Sequence, residues 1–142
     1  MLTGLQEEID AHAELTGASK EIIINALNAD DTAQTETWAV RDDILKVPKG
    51  DMLALLSFAS QVKLYDWLQA GSDYAKGFSL FFYAHDQFKV TDAVFRGTIS
   101  LLCDPLELIT ADEKNAILRL GERKISRAEE LWGRLIVKGD FE

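Results

Sequence analysis

The sequence predicts an all-α fold: a single compact bundle of about six to seven short helices around one central apolar helix, in one domain spanning residues 1–142. Three observations predict it. A chain of 142 residues that is 47% apolar and 27% charged, with two prolines, is long enough for a self-sufficient core and lacks the composition of a linker or disordered tail. The stretch Met52 to Ala70, MLALLSFASQVKLYDWLQA, spreads Met52, Leu53, Leu55, Leu56, Phe58, Ala59, Val62, Trp67 and Leu68 over most of a helical circumference, so a helix here needs partners on several sides. Elsewhere Ser, Thr and Asp caps, with glycines at the far ends, punctuate segments whose apolar residues recur at helical spacing.

Taken in order, Thr3-Gly4-Leu5-Gln6 fits a capping box, and Leu5, Ile9 and Ala13 behind it predict a short helix to about Glu14. Ser19 caps a second helix, Lys20 to Ala29, with Ile22, Ile23, Ala26 and Leu27 on one face. Asn28 to Thr37 has no apolar residue larger than Ala33 and reads as a loop open to a partner. Trp38-Ala39-Val40 reads as a short extended piece, and Asp42 or Asp43 as the cap of one helical turn that stops before Pro48. Asp51 then caps the central helix, and Gly71 closes it.

Ser72 opens a helix over Tyr74 to His85. The aromatic run FSLFFY would suit a strand, but a lone strand leaves its backbone unpaired, and segment length and the cap favour helix. Thr91 caps Asp92 to Cys103, with Val94, Phe95, Thr98, Ile99 and Leu102 as its stripe. Thr110-Ala111-Asp112-Glu113 is a capping box for a helix that buries Ala116, Ile117 and Leu120 and stops at Gly121. Ser126-Arg127-Ala128-Glu129 is a second capping box, opening a short helix closed by Gly133, and Leu135-Ile136-Val137 is a short extended C-terminal segment.

The formal charge of −9 is unevenly placed. Ten acidic residues stand against two basic ones from Met1 to Leu45, whereas seven basic stand against three acidic from Lys114 to Lys138. Such polarity bears on partner choice and association rather than on fold. Arg119, Arg123, Lys124, Arg127 and Arg134 form a basic group, but the overall negative charge opposes nucleic-acid binding. The single cysteine, Cys103, cannot form an internal disulfide and reads as a buried, inert thiol. His12 and His85 belong to no metal-ligand spacing, and His85-Asp86 has no nucleophile elbow or phosphate-cradling glycine loop beside it. No catalytic, cofactor-binding or metal-binding residue is therefore assigned, and the protein is expected not to be an enzyme. The aromatics Trp67, Phe78, Phe81, Phe82 and Tyr83 read as core, with a partner groove as the other use for them. The first residues, MLTGLQEEID, lack the features of a secretory signal, and no apolar run is long enough to span a bilayer.

The C-terminal pattern Ile117-Leu118-Arg119-Leu120-Gly121, followed by Ser126-Arg127-Ala128-Glu129-Glu130-Leu131-Trp132-Gly133-Arg134, resembles a group of small helical proteins encoded by tailed bacteriophages, often near tail genes. The helix end Ile23 to Asn28 and the turn Gly71-Ser72-Asp73 after the apolar stretch are similar to that group too. The resemblance implies a phage protein in the virion or the host cytoplasm. It supplies no catalytic residues. The expected role is a virion-associated structural or assembly component of the tail region that contacts other phage structural proteins or copies of itself. The alternative is a small acidic phage inhibitor that binds a host protein. Glu7, Glu8, Asp30, Asp31, Arg123, Arg127 and Arg134 are the expected partner-binding residues, the acidic third of one copy facing the basic segment of another.

Overall fold

Eight α-helices and four three-residue strands follow one another along the computed structural model, which describes residues 1–142. In chain order they are α1 (Leu5–Ala11), α2 (Lys20–Asn28), β1 (Trp38–Val40), β2 (Lys46–Pro48), α3 (Lys49–Leu53), α4 (Phe58–Gln69), α5 (Asp73–Ala84), β3 (Gln87–Lys89), α6 (Ala93–Cys103), α7 (Ala111–Arg119), β4 (Glu122–Lys124) and α8 (Arg127–Trp132). A 3-10 turn over Lys138–Phe141 ends the chain. The protein is thus mostly helical but not all-α: β1 pairs with β4, and β2 pairs with β3. The β2–β3 ladder is antiparallel, with Lys46 opposite Lys89, Val47 opposite Phe88 and Pro48 opposite Gln87.

In place of one bundle around one helix there are two compact units, each with its own core. Unit 1 joins Met1–Ala39 to Arg123–Glu142, and unit 2 is Val40–Glu122. The first core is Leu5, Ile9, Leu15, Ile23, Leu27, Ala128 and Ile136. The second gathers Met52, Leu56, Leu64 and Leu68 with Phe78, Phe82, Phe88, Phe95, Ile99 and Ile117. Its largest fully buried side chain, Phe88, lies on β3, a strand whose flanking residues Gln87 and Lys89 are exposed.

The expected continuous helix from Met52 to Ala70 is divided. Residues 54–57 leave the helical path, and Ser57 becomes the N-cap of α4, its hydroxyl accepting from Ser60 N at 3.2 Å. The Ser57 N–H, released from any helix, donates to Glu113 Oε2 at 2.7 Å, and Ser60 Oγ donates to Glu113 Oε1 at 2.6 Å. One carboxylate therefore holds the start of α4 while it completes the capping box of α7 with Thr110. With this break the face of α4 rotates, and Phe58 is 82% exposed rather than core. Gly71 does close α4, at φ +76.

Several ends differ from expectation by short-range chemistry. α1 is preceded by Gly4 at φ 86 with no side-chain cap, so Thr3 forms no capping box, and the helix stops at Ala11. Asp42 and Asp43 cap no helix, because the chain there runs out towards β2, where pairing with β3 satisfies its backbone. The cap of α6 is Asp92, accepting from Phe95 N at 3.0 Å, rather than Thr91. Gly121 is not a left-handed stop. It lies against the Val90 carbonyl, where an added Cβ would sit 2.2 Å from that oxygen. The Ser19, Ser72, Thr110 and Ser126 caps, the Gly133 stop and the helix over Tyr74 to Ala84 are as expected. Leu135 to Val137 is extended but pairs with no strand. Instead the Asn28 amide accepts from Ile136 N and donates to Ile136 O, both at 2.9 Å, as a strand neighbour would.

Candidate interaction surfaces

All but Glu7 of the charged residues expected to meet a partner form ion pairs within unit 1. Arg127, at the first position of α8, forks onto Glu8 of α1 through Nε to Oε1 at 2.8 Å and Nη2 to Oε2 at 3.0 Å, and its Nη1 bonds Glu130. The Glu130 carboxylate also accepts from Thr35 N at 2.9 Å and Thr35 Oγ1 at 2.7 Å, which pins the loop after α2. Arg123 forks onto Glu129 at 2.7 and 2.8 Å and reaches Asp30 at 3.1 Å. Arg134 forks onto Asp140 at 2.9 and 2.6 Å. Lys124 stands 3.8 Å from Asp31 and 3.7 Å from Glu36.

The acidic first third and the basic last segment are thus complementary, but in cis. Glu8 with Arg127 and Asp30 with Arg123 join residues 1–39 to residues 123–142, whereas Arg134 pairs with Asp140 inside the latter segment. Asp31 is part of the same arrangement, with a backbone N–H that donates to Lys124 O at 3.0 Å. Glu7 is exposed on α1. Because the partners are planar guanidinium forks, these bonds are directional as well as charged.

The titration of the acids follows from this geometry. Hydrogen bonds from Arg127 hold the Glu8 carboxyl below its ordinary range, against an opposing effect of burial and with help from His12. Arg123 first, then the Ser126 backbone and hydroxyl, hold Glu129 at about 2. Thr35 and Arg127 do the same for Glu130, also at about 2. Burial pushes Glu113 up, but the bonds from Ser60, Thr110 and Ser57 outweigh it and hold this group at about 2.

Unit 2 carries the other surface. An open cavity of about 820 Å³ is lined by Lys46, His85, Asp86 and Lys89 over a floor of Phe88 and Phe95. A second, of about 390 Å³, lies between α5 and α6, with Tyr74, Gly77, Phe78 and Val94 in its walls. Phe81, Asp92 and Phe95 line both, so the two form one trough, mainly apolar at one end and of mixed charge at the other, where Lys46 and Lys89 stand with Asp86 and Asp92. The floor is an aromatic stack: Phe81 to Phe88 at 5.4 Å and Phe88 to Phe95 at 5.4 Å between ring centres. Gly77 lines the second cavity, and a Cβ added there would meet nothing within 4 Å.

No protein-family model, curated protein or solved structure matches this chain. What the two surfaces can do follows from their own chemistry. Of the aromatics expected in the core, Phe78 and Phe82 are buried, whereas Phe81 and Tyr83 face outwards with Tyr74 and Leu80. His12 rests against Glu8 at 2.9 Å, His85 lies exposed with its ring 5.1 Å from that of Phe81, and Cys103 is half-buried rather than buried. The trough was not legible beforehand, because β2 and β3 are three residues long and bring Lys46 beside Lys89 across more than forty residues of chain. A period-two pattern needs more residues than that to stand out.

Proposed function

We propose that this chain is a non-enzymatic protein that works by contact with other proteins, in the setting its C-terminal resemblance implies: a structural or assembly component of the tail region of a bacteriophage particle. The observation that carries the reading is the apolar surface left open on unit 2. Phe58, Tyr65, Tyr74, Leu80, Phe81, Tyr83 and Val94 are all exposed, and three of them line one trough. Scattered apolar residues are ordinary on a protein surface, but aromatic and aliphatic side chains converging on a shaped groove favour a macromolecular contact.

The alternative, an acidic inhibitor of a host protein, draws support from one feature. Unit 1 has twelve acidic and six basic side chains, and after its internal pairing Glu7, Asp10 and Glu14 still face solvent. Mass spectrometry of purified particles separates the two readings. Retention on particles at a fixed copy number through a high-salt wash is the expected result. Absence from particles, together with a one-to-one complex with a host protein that Glu7→Lys abolishes, would replace the first reading by the second.

A further inference from the structure

We infer that residues 49–69 form a two-state hinge: bent in this structure, and straight, as one uninterrupted helix, once the Glu113 side chain releases Ser57. The bend has no local cause. Between Asp51 and Gln69 there is neither glycine nor proline, and Ala54, Leu55 and Leu56 are good helix formers. The buried side chains also run straight through it. Met52, Leu56, Ser60, Leu64 and Leu68 are all buried, and they recur every four residues across the break. That spacing places them along one side of a single continuous helix.

The hydrogen bonds show what the bend exchanges. An unbroken helix would pair Ser57 N with Leu53 O and Ser60 N with Leu56 O. Here side chains engage all four groups. Glu113 Oε2 accepts from Ser57 N at 2.7 Å, and Ser57 Oγ accepts from Ser60 N at 3.2 Å. Gln61 Nε2 donates to Leu53 O at 3.2 Å and to Leu56 O at 3.1 Å, and Leu53 O also accepts from Leu56 N at 3.0 Å. A sharp kink without proline or glycine arises where side chains enter the helix ladder in this way. Two helix bonds are thus replaced rather than lost, so the bent and straight forms differ little in bonding. Glu113 is the substitute that reaches in from another helix, α7, and it is only half-buried. Its carboxyl, held at about 2, stays ionised throughout the neutral range, so the hinge answers to competition for that carboxylate and not to pH. An element with two discrete arrangements, biased by one local contact, is the common basis of conformational switches.

Nuclear magnetic resonance of the full chain tests this with two variants. Glu113→Gln keeps the shape of the side chain, and its carbonyl oxygen can still accept from Thr110 N, so the capping box of α7 is retained; its amide nitrogen cannot accept from Ser57 N. Adding Gln61→Ala, at an exposed position, frees Leu53 O and Leu56 O. In the double variant, helical α-carbon shifts are expected across residues 54–57, with a contact between the Leu53 α-proton and the Ser57 amide proton that the wild type lacks. Val47 should keep its cross-strand contact with Phe88, which reports that the rest of unit 2 is folded. In the wild type, saturation transfer at Leu56 and Ser57 should find the straight form as a minor population of about 0.1–10%, raised at least about tenfold by Glu113→Gln. Unchanged or coil-like shifts at residues 54–57 in a folded double variant overturn the inference. If the double variant unfolds, the wild type and Glu113→Gln decide, and the absence of a helical minor form from both overturns it equally.

Discussion

Gly121→Ala is a small change for which two physical arguments give opposite signs. The position has ordinary negative-φ backbone, where replacing glycine by alanine narrows the unfolded ensemble and stabilises a protein by about 0.4–1 kcal/mol. Against this, the alanine Cβ would lie 2.2 Å from Val90 O, 2.7 Å from Val90 C and 3.2 Å from Thr91 N. All three are backbone atoms, so no side chain can swing aside. Restoring ordinary contact requires a shift of about 1 Å, and both sides are anchored. Gly121 donates to Leu118 O at 3.1 Å and accepts from Arg41 N at 2.9 Å, while Val90 donates to Leu45 O at 3.0 Å and is 1% exposed. Overpacking of this kind costs about 1–3 kcal/mol and occasionally more, and a clash with pinned backbone belongs at the upper end, near 3 kcal/mol. Urea unfolding followed by circular dichroism reads the difference as a lower midpoint with unchanged slope. Gly97→Ala, in the interior of α6 with nothing within 4 Å of the added carbon, serves as the control and should raise the midpoint. A Gly121→Ala variant as stable as the wild type, or more so, would refute the steric argument.

Three further changes test unit 1 and the break before α4. Arg127→Ala leaves the Glu8 carboxylate without its fork in a site where Glu8 is 7% exposed, and should cost about 3 kcal/mol; Arg127→Met with Glu8→Leu should recover most of it, and a double variant no better than the single one would show that the pair is not coupled. Asn28→Ala strips both bonds from the Ile136 backbone and should destabilise by about 1–3 kcal/mol, seen as faster amide exchange at Ile136. Glu113 and Glu129 have folded pKa values of about 2, below the ordinary 4.5, so their stabilisation is complete above about pH 4.5 and is lost as pH falls towards 2; midpoints that rise between pH 5 and pH 3 would contradict that sign.

What could be read from the sequence was the punctuation, and what could not was the pairing at a distance. Ser19, Ser72, Thr110, Ser126 and Gly133 act through bonds that span three or four residues, so the residues around them suffice to place them. Ser57 acts through the same local bond to Ser60 N, but it was hidden inside an apolar stretch, where periodicity favours one long helix. Its decisive partner, Glu113, is 56 residues away. The same holds for Gly121, which looks like a helix stop in sequence yet owes its place to Val90 across the packing. The charge map was legible as a quantity, but the pairs it forms within the chain were not. Counting acids and bases reveals that the chain ends are complementary, while only the folded geometry distinguishes one chain closing on itself from two chains meeting.

That closure also decides which charges each unit still presents. In unit 1 the guanidinium groups of Arg123, Arg127 and Arg134 are each forked onto a carboxylate of the same chain, so the side chains that could neutralise an approaching acid are already engaged. What unit 1 offers outward is the remaining acid, twelve acidic against six basic residues in total, and two copies approaching through it repel within a Debye length of about 8 Å at physiological salt. Unit 2 is closer to balance, with twelve acidic and nine basic residues, and its opposed Lys46 and Lys89 are not spent internally. Unit 1 therefore presents excess acid outward, whereas unit 2 presents the exposed aromatic side chains of its trough beside both lysines and aspartates.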